Sequence, residues 1–109
     1  MNKLIFFLVL FGTNIMNAQD TLRVNTSAQC ESCKHRLETR MSKMKGVLSS
    51  NLDIESKVMT VVIDPKLTNL KSVEDKINSI GYDANGKVAH KAAYKRLPAC
   101  CRKDYVGKH

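Results

Sequence analysis

The chain has 109 residues, a formal net charge of +8 at pH 7 and four cysteines. This length accommodates one small domain and excludes a multidomain enzyme. The charge is uneven, because seven basic side chains lie in residues 87–109 and only Asp104 opposes them there. The sequence contains no paired carboxylates, no nucleophile–histidine–acid set and no glycine-rich phosphate loop, so it predicts a protein that is not an enzyme.

The first 18 residues have the features of a secretory signal peptide. Lys3 precedes the apolar run LIFFLVLFG, and the small residue Ala18 precedes a polar chain. A basic start, a short apolar core and a small residue before the cleavage site are typical of such peptides. The run is too short to cross a bilayer, which takes about 20 apolar residues. We therefore expect cleavage after Ala18, secretion across the inner membrane and a periplasmic mature protein.

After the signal, four segments have the apolar pattern of strands and two carry apolar residues at helical spacing. The predicted strands are 21–26, 47–54 with Leu48 and Leu52 on one face, 58–64 with Met59, Val61 and Ile63 buried, and 82–88. The predicted helices are 31–45, with the stripe Leu37, Met41 and Met44, and a second one capped by Thr68 or Asn69, with the stripe Leu70, Val73, Ile77 and Ile80.

The residues between these segments fit turns and helix ends. Gly46 and Gly81 follow the two helices, where a residue with positive φ often ends a helix, and Asp64-Pro65 ends the third strand. The order of elements predicts an α+β fold, a ferredoxin-like βαββαβ sandwich with two helices on a four-stranded antiparallel sheet. This domain would cover residues 20–88 and be followed by a basic, cysteine-containing tail, 89–109.

The first pair of cysteines, Cys30 and Cys33, lies between the first strand and the first turn of the first helix. Free N–H groups and the positive end of the helix dipole favour thiolates there. The neighbouring Lys34 and Arg36 can lower the thiol pKa values further. Thiolates bind soft metals and also exchange disulfides, so both activities fit this position.

Ligand chemistry narrows the choice of metal. Two thiolates on a loop suit Cu(I) or Hg(II), which accept two or three soft ligands. Zn(II) or Cd(II) would need further ligands from the tail or from a second chain, because a structural zinc site takes four. His35 points along the helix, and we expect it to be exposed. Glu31 fits as an acid in the first helical turn, not as a ligand.

At this point the chain resembles the heavy-metal-associated domain family of metallochaperones, mercuric-ion carriers and metal-ATPase N-terminal domains. The resemblance covers about residues 21–88. It rests on the CxxC after the first strand, Gly46-Val47 after the first helix, Asp64-Pro65 after the third strand and Ile80-Gly81-Tyr82 after the second helix.

The resemblance implies that Cys30 and Cys33 are the metal ligands and that Tyr82 shields the metal loop. It also implies delivery to a membrane metal transporter or a metal-transporting ATPase. The signal peptide favours the periplasmic mercuric carriers over cytosolic copper chaperones. One position departs from the family pattern, because Ala28 stands where the family usually has Met. We expect a looser or differently packed metal loop there.

The tail carries the adjacent cysteines Cys100 and Cys101. The predicted last strand ends far from the CxxC, so the tail would have to cross back about 23 Å. The intervening residues can span up to about 40 Å. The tail thiols can thus join the CxxC or form a separate pair, and both readings stay open. For the tail as a whole we expect a solvated, partly disordered extension, and its lack of interleaved aromatic residues predicts no nucleic-acid binding.

Three functions are compatible with these observations. The first is a binding module that captures a soft metal ion and hands it on, as a monomer or as a metal-bridged dimer. The second is a redox protein that uses the CxxC as a dithiol/disulfide couple. Against the second, no tryptophan precedes the motif and no proline lies between the cysteines. The third is an interaction domain whose cysteines have no function. We favour the first.

Overall fold

The computed structural model describes residues 18–103. The strands are β1 (Asp20–Asn25), β2 (Val47–Asp53) and β3 (Val58–Ile63), the helices are α1 (Glu31–Ser42), α2 (Leu70–Ile80) and α3 (Lys91–Lys95), and a short 3-10 turn spans Ala99–Cys101. The predicted signal peptide lies outside the described residues except for Ala18, and so do residues 104–109 of the predicted tail. Over 18–103, none of the helices combines the length and the apolar composition that a membrane crossing requires.

The three strands form an antiparallel sheet in the order β1-β3-β2. The β-branched strand β3 is central and buries Met59, Val61 and Ile63, as its alternation predicts. In β2 the register shifts between Val47 and Ser49. This irregularity breaks the predicted alternation, so Leu48 is 52% exposed instead of sharing a face with the buried Leu52.

Both predicted helices form, with small differences at their ends. Helix α1 ends at Ser42, earlier than predicted, and Gly46 takes a positive φ of 92° in the connection to β2. Helix α2 begins after Asn69, whose side chain accepts the Ser72 amide at 2.9 Å. The predicted stripe of α2 is buried except for Leu70, which is 41% exposed in the first turn.

The predicted fourth strand, 82–88, is not formed. Asn85 and Gly86 both have positive φ, 49° and 85°, and Ala84 pairs with Lys87 across them. This is the two-residue turn that Asn-Gly favours, and it reverses the chain before a strand can extend along β1. Among the described residues, a single β-bridge, Thr26 with Ala84, and hydrogen bonds between Asn25 and Asn85 join this segment to the end of β1. The α+β class is confirmed with three strands, and the four-stranded ferredoxin-like sheet is not.

The early reversal also changes the course of the tail. The chain turns back at the end of β1 that carries the CxxC, so the tail does not have to cross the length of the sheet. Residues 91–103 were predicted as a solvated extension, but they form α3 and the 3-10 turn and bury Ala93, Leu97 and Cys101. Leu97 and Cys101 belong to the same hydrophobic core as the sheet and the two long helices. The tail is therefore part of the domain as far as Lys103.

The absence of a side chain at Gly81 allows the tail to pack against the end of α2. It ends α2 with a φ of 126°, a conformation that side chains rarely tolerate. A Cβ atom placed there would lie 3.0 Å from both the Ala93 carbonyl oxygen and Leu97 Cγ. The missing side chain therefore serves two purposes, because it allows the turn into Tyr82 and leaves room for the tail.

We predict that Gly81→Ala destabilises the fold more than Gly86→Ala does. Both substitutions strain a positive φ, which costs about 1–3 kcal/mol. Only Gly81→Ala also collides with the tail, because no atom lies within 4 Å of a Cβ built at Gly86. Urea unfolding of both variants measures the difference. Equal losses of unfolding free energy would show that tail packing at Gly81 contributes nothing.

Candidate metal centre

Hydrogen bonds within the loop between β1 and α1, and from two other segments of the chain, hold this loop in place. Thr26 Oγ1 donates to the Lys57 carbonyl oxygen at 2.9 Å and accepts the Ala28 amide at 3.1 Å. The Asp83 amide donates to Ser27 Oγ at 2.9 Å. Ala28 itself is fully buried. These bonds fix the loop through its backbone and hydroxyl groups, without the larger side chain that the family usually has at this position.

Cys30 ends the loop as the N-cap residue of α1, with an extended backbone. Its sulfur is the centre of a cluster of four thiols. Cys33 Sγ lies 3.0 Å from it, and the sulfurs of Cys100 and Cys101 lie 3.7 Å from it. All four cysteines are free thiols. The structure thus brings the predicted pair together and joins the second pair to it.

The four thiols differ in their access to solvent. Cys33 and Cys101 are buried, with exposed fractions of 0% and 1%, whereas Cys30 and Cys100 are partly exposed. Cys33 faces the core on α1, in the same buried stripe as Leu37. A ligand or a partner can therefore reach the cluster from the side of Cys30 and Cys100.

Burial and hydrogen bonding shift the pKa values of the two CxxC thiols in opposite directions. Burial raises the pKa of Cys30, but hydrogen bonds with Ser32, Cys33 and Cys101 outweigh it and lower the pKa to about 6. Burial, together with hydrogen bonds to Cys101 and Cys30, raises the pKa of Cys33 to about 12. At neutral pH the pair therefore holds one negative charge on Cys30, with the Cys33 thiol donating to it. A metal that binds Cys33 must displace this proton.

Two side chains from the core side complete the cluster. Arg36 Nη1 donates to Cys101 Sγ at 3.4 Å and to Tyr82 Oη at 3.5 Å. Tyr82 is fully buried, and burial, with hydrogen bonds to the thiols of Cys101 and Cys33, raises the pKa of its hydroxyl. Tyr82 therefore closes the inner side of the cluster, which agrees with the shielding position implied by the family resemblance.

Three other residues near the CxxC, Lys34, His35 and Glu31, are not part of the thiol cluster. Lys34 was expected to act on the thiols, but its Nζ atom pairs with Glu38 at 2.6 Å and donates to the Leu52 carbonyl oxygen at 2.9 Å. The positive charge of Lys34 is thus paired with Glu38, not with the thiols. His35 and Glu31 are exposed on α1, and neither belongs to the one group of three potential metal ligands found among residues 18–103.

Sequence reasoning missed two contributors to the site and left a third open. Ser32 Oγ lies 3.3 Å from Cys30 Sγ and 3.2 Å from Cys101 Sγ, although nothing in the spacing of the motif distinguishes it. Gln29 Nε2 donates to the Arg102 carbonyl oxygen at 2.8 Å. The contributor left open is the pair of tail thiols, which the structure places beside Cys30. The Asn85-Gly86 pair was the available signal, because a tight turn there directs the following residues back toward the CxxC.

Comparison with known proteins identifies relatives of this domain. The model of the heavy-metal-associated domain family matches residues 21–83. A copper-exporting P-type ATPase of Staphylococcus saprophyticus is 30% identical over 88 residues, which is 79% of this chain and 11% of the ATPase. The chain thus spans about a tenth of that relative's length.

Solved structures share the fold. The CsoZ metallochaperone is 28% identical with a TM-score of 0.56, and the alignment covers 62% of this chain and 97% of that one. Oxidized MerP from Ralstonia metallidurans CH34 is 20% identical with a TM-score of 0.58, over 62% of this chain and 94% of that one. The match to MerP supports the fold alone.

We predict that Cys30 reacts with iodoacetamide at far lower pH than an ordinary cysteine. Its rate of alkylation should be half-maximal near pH 6, because the thiolate is the nucleophile and an unperturbed thiol ionises near pH 8.5. Ser32→Ala removes one of the hydrogen bonds that lower the pKa and should move the midpoint upward. Peptide mass spectrometry of the reduced, metal-free protein measures both profiles. A Cys30 midpoint near 8.5 would contradict the assigned charge distribution.

Proposed function

The chain belongs to the heavy-metal-associated domain family, and on this premise we propose that it binds a soft heavy-metal ion at Cys30 and Cys33 and passes it to a protein partner. The observation that carries the proposal is the pairing of a partly exposed, low-pKa thiol with a second sulfur 3.0 Å away at the start of α1. Soft thiolates favour Cu(I) and Hg(II) among the common ions. The copper-exporting relative supports Cu(I), whereas Hg(II) rests on ligand softness.

Transfer would proceed by ligand exchange. A thiolate of the partner bonds to the ion before a bond to Cys30 or Cys33 breaks, so the ion passes through a three-coordinate state and its oxidation state does not change. A departing Cys30 thiolate returns to its hydrogen bond with Ser32, and a departing Cys33 thiolate takes up a proton. The partly exposed position of Cys30 supports this route, since an incoming thiolate must approach from solvent.

The proposed partner is a membrane metal transporter or a metal-transporting ATPase with an acidic docking surface. Arg36, Arg40 and Arg96 line one small cavity, and the first of them contacts the thiol cluster. A group of guanidinium charges beside the site would speed association with an acidic partner, and salt would weaken this effect.

The site also gives the redox alternative one favourable feature. A thiolate on Cys30 could attack a disulfide substrate, and Cys33 would then have to resolve the mixed disulfide. Cys33 must give up its proton for that second step just as it must for metal binding, so its raised pKa does not separate the two functions, whereas membership of the heavy-metal-associated domain family favours metal binding. Metal binding is therefore the better-supported function, and we propose no enzymatic turnover.

We predict that the reduced protein binds one equivalent of Cu(I) or Hg(II) in anaerobic titration and prefers both to Zn(II). In a Cys100→Ser/Cys101→Ser background, a further Cys30→Ser or Cys33→Ser should lower the affinity by more than about 100-fold, since loss of a ligand exceeds the usual cost of losing a supporting group. Glu31→Gln serves as the control and should bind normally.

Addition of an acceptor protein with its own CxxC to the loaded sample tests the transfer step. Transfer should occur even when a chelator is present to capture any ion released to solvent. High salt should slow the transfer when the acceptor is acidic. If Cys30→Ser and Cys33→Ser each keep full metal affinity in the Cys100→Ser/Cys101→Ser background, the assignment of the site to Cys30 and Cys33 is refuted. Metal-independent turnover of a disulfide substrate would instead establish the redox function.

We further propose that the protein works in the periplasm after removal of residues 1–18. The basic start, the short apolar run and Ala18 support this. Protein isolated from a periplasmic extract should begin at Gln19. A chain that retains Met1 and stays in the cytoplasmic fraction would contradict the proposal.

A further inference from the structure

The tail thiols occupy a defined place beside the CxxC. Cys30, Cys100 and Cys101 have sulfur atoms that all lie within 4.8 Å of one another. Adjacent cysteines do not automatically direct their sulfurs to one point. Here the 3-10 turn over Ala99–Cys101 places both within 3.7 Å of Cys30 Sγ.

Several independent contacts hold the tail in this place. Gln29 Nε2 donates to the carbonyl oxygens of Cys100 and Arg102, at 3.4 Å and 2.8 Å. On the other side of the turn, Arg36 donates to Cys101 Sγ. Upstream, Leu97 is buried against Gly81. The tail is therefore fixed at its backbone, at one sulfur and at its apolar anchor.

We propose that Cys30, Cys100 and Cys101 form a three-thiol site for one soft metal ion, so that this chain supplies tail ligands to the ion that the CxxC captures. The inference rests on the proposed function and extends it. Three sulfurs with no carboxylate or imidazole among them match the ligand preference of Cu(I) and Hg(II). The two ligand sets, Cys30 with Cys33 and Cys30 with the tail pair, share Cys30.

The shared ligand gives the tail a specific role. An ion held by Cys30 and Cys33 can gain a tail thiolate, whose proton is released, before it loses Cys33, which takes up a proton; this is the same kind of exchange that delivers the ion to a partner. The tail thiols thus fill the positions that the partner's thiolates would take. They also supply in one chain the additional ligands for which a metal-bridged dimer would otherwise be needed.

The number of sulfur ligands tests this proposal. One equivalent of Hg(II) is added anaerobically to the reduced full-length protein, and X-ray absorption gives the number of Hg–S bonds. We expect three for the unmodified protein and two for Cys100→Ser/Cys101→Ser. Ala99→Ser, an exposed change in the same turn, is the matched control and should keep three.

Cys33→Ser provides a second test that leaves the tail intact. Because the three-thiol set does not include Cys33, this variant should still bind Hg(II) with three sulfurs. Two sulfurs in the unmodified protein, three in Cys100→Ser/Cys101→Ser, or fewer than three in Cys33→Ser would each overturn the tail site. Two-sulfur binding that depends on Cys30 and Cys33 would then leave the proposed function standing, whereas no binding at all would refute both.

Discussion

The close approach of the tail to Gly81 determines how the rest of the molecule is assembled. A side chain at Gly81 would press on the Ala93 carbonyl oxygen and on Leu97, each 3.0 Å from the position of its Cβ atom. The same residue ends α2 and directs Tyr82 into the core beneath the thiols. One glycine therefore connects the end of a helix, the inner side of the metal centre and the anchor of the tail. In a domain of this size the core is small, and the tail enlarges it.

The metal centre combines a reactive sulfur with a protected one. Cys30 is partly exposed and surrounded by hydrogen-bond donors, so its thiolate is stabilised at neutral pH. Cys33 lies one helical turn further into the core and keeps its proton. This asymmetry suits a carrier, because the first sulfur can meet an incoming ion while the second holds it only after giving up a proton. Affinity should consequently rise with pH.

Burial of Cys33 also limits how the site can exchange ligands. A partner thiolate has to approach beside Cys30, and in this chain Cys100 already stands on that side. That side of the thiol cluster is thus formed by a segment of the same chain, held by Gln29 and by the packing of Leu97.

Much of the fold could be predicted from the sequence because its elements depend on local patterns. The alternation in β3, the Asn69 cap and the glycines after the helices agree with the structure, and so do the helical stripes apart from Met44, which lies beyond the end of α1, and the exposed Leu70. The errors arose where a local signal was overlooked or where long-range packing decided. Asn85-Gly86 formed a tight turn in place of a strand, and Leu48 was turned outward by a register shift.

The sequence by itself determined that two thiols lie at the start of a helix in a small α+β domain of the heavy-metal-associated family. Only the tertiary structure decided that Cys33 is buried, that Lys34 is paired with Glu38, and that Cys100 and Cys101 meet Cys30 across about seventy residues of chain. Spacing along a chain fixes which residues share a turn or a face. Contacts between distant segments depend instead on how the whole core packs, and no local pattern encodes them.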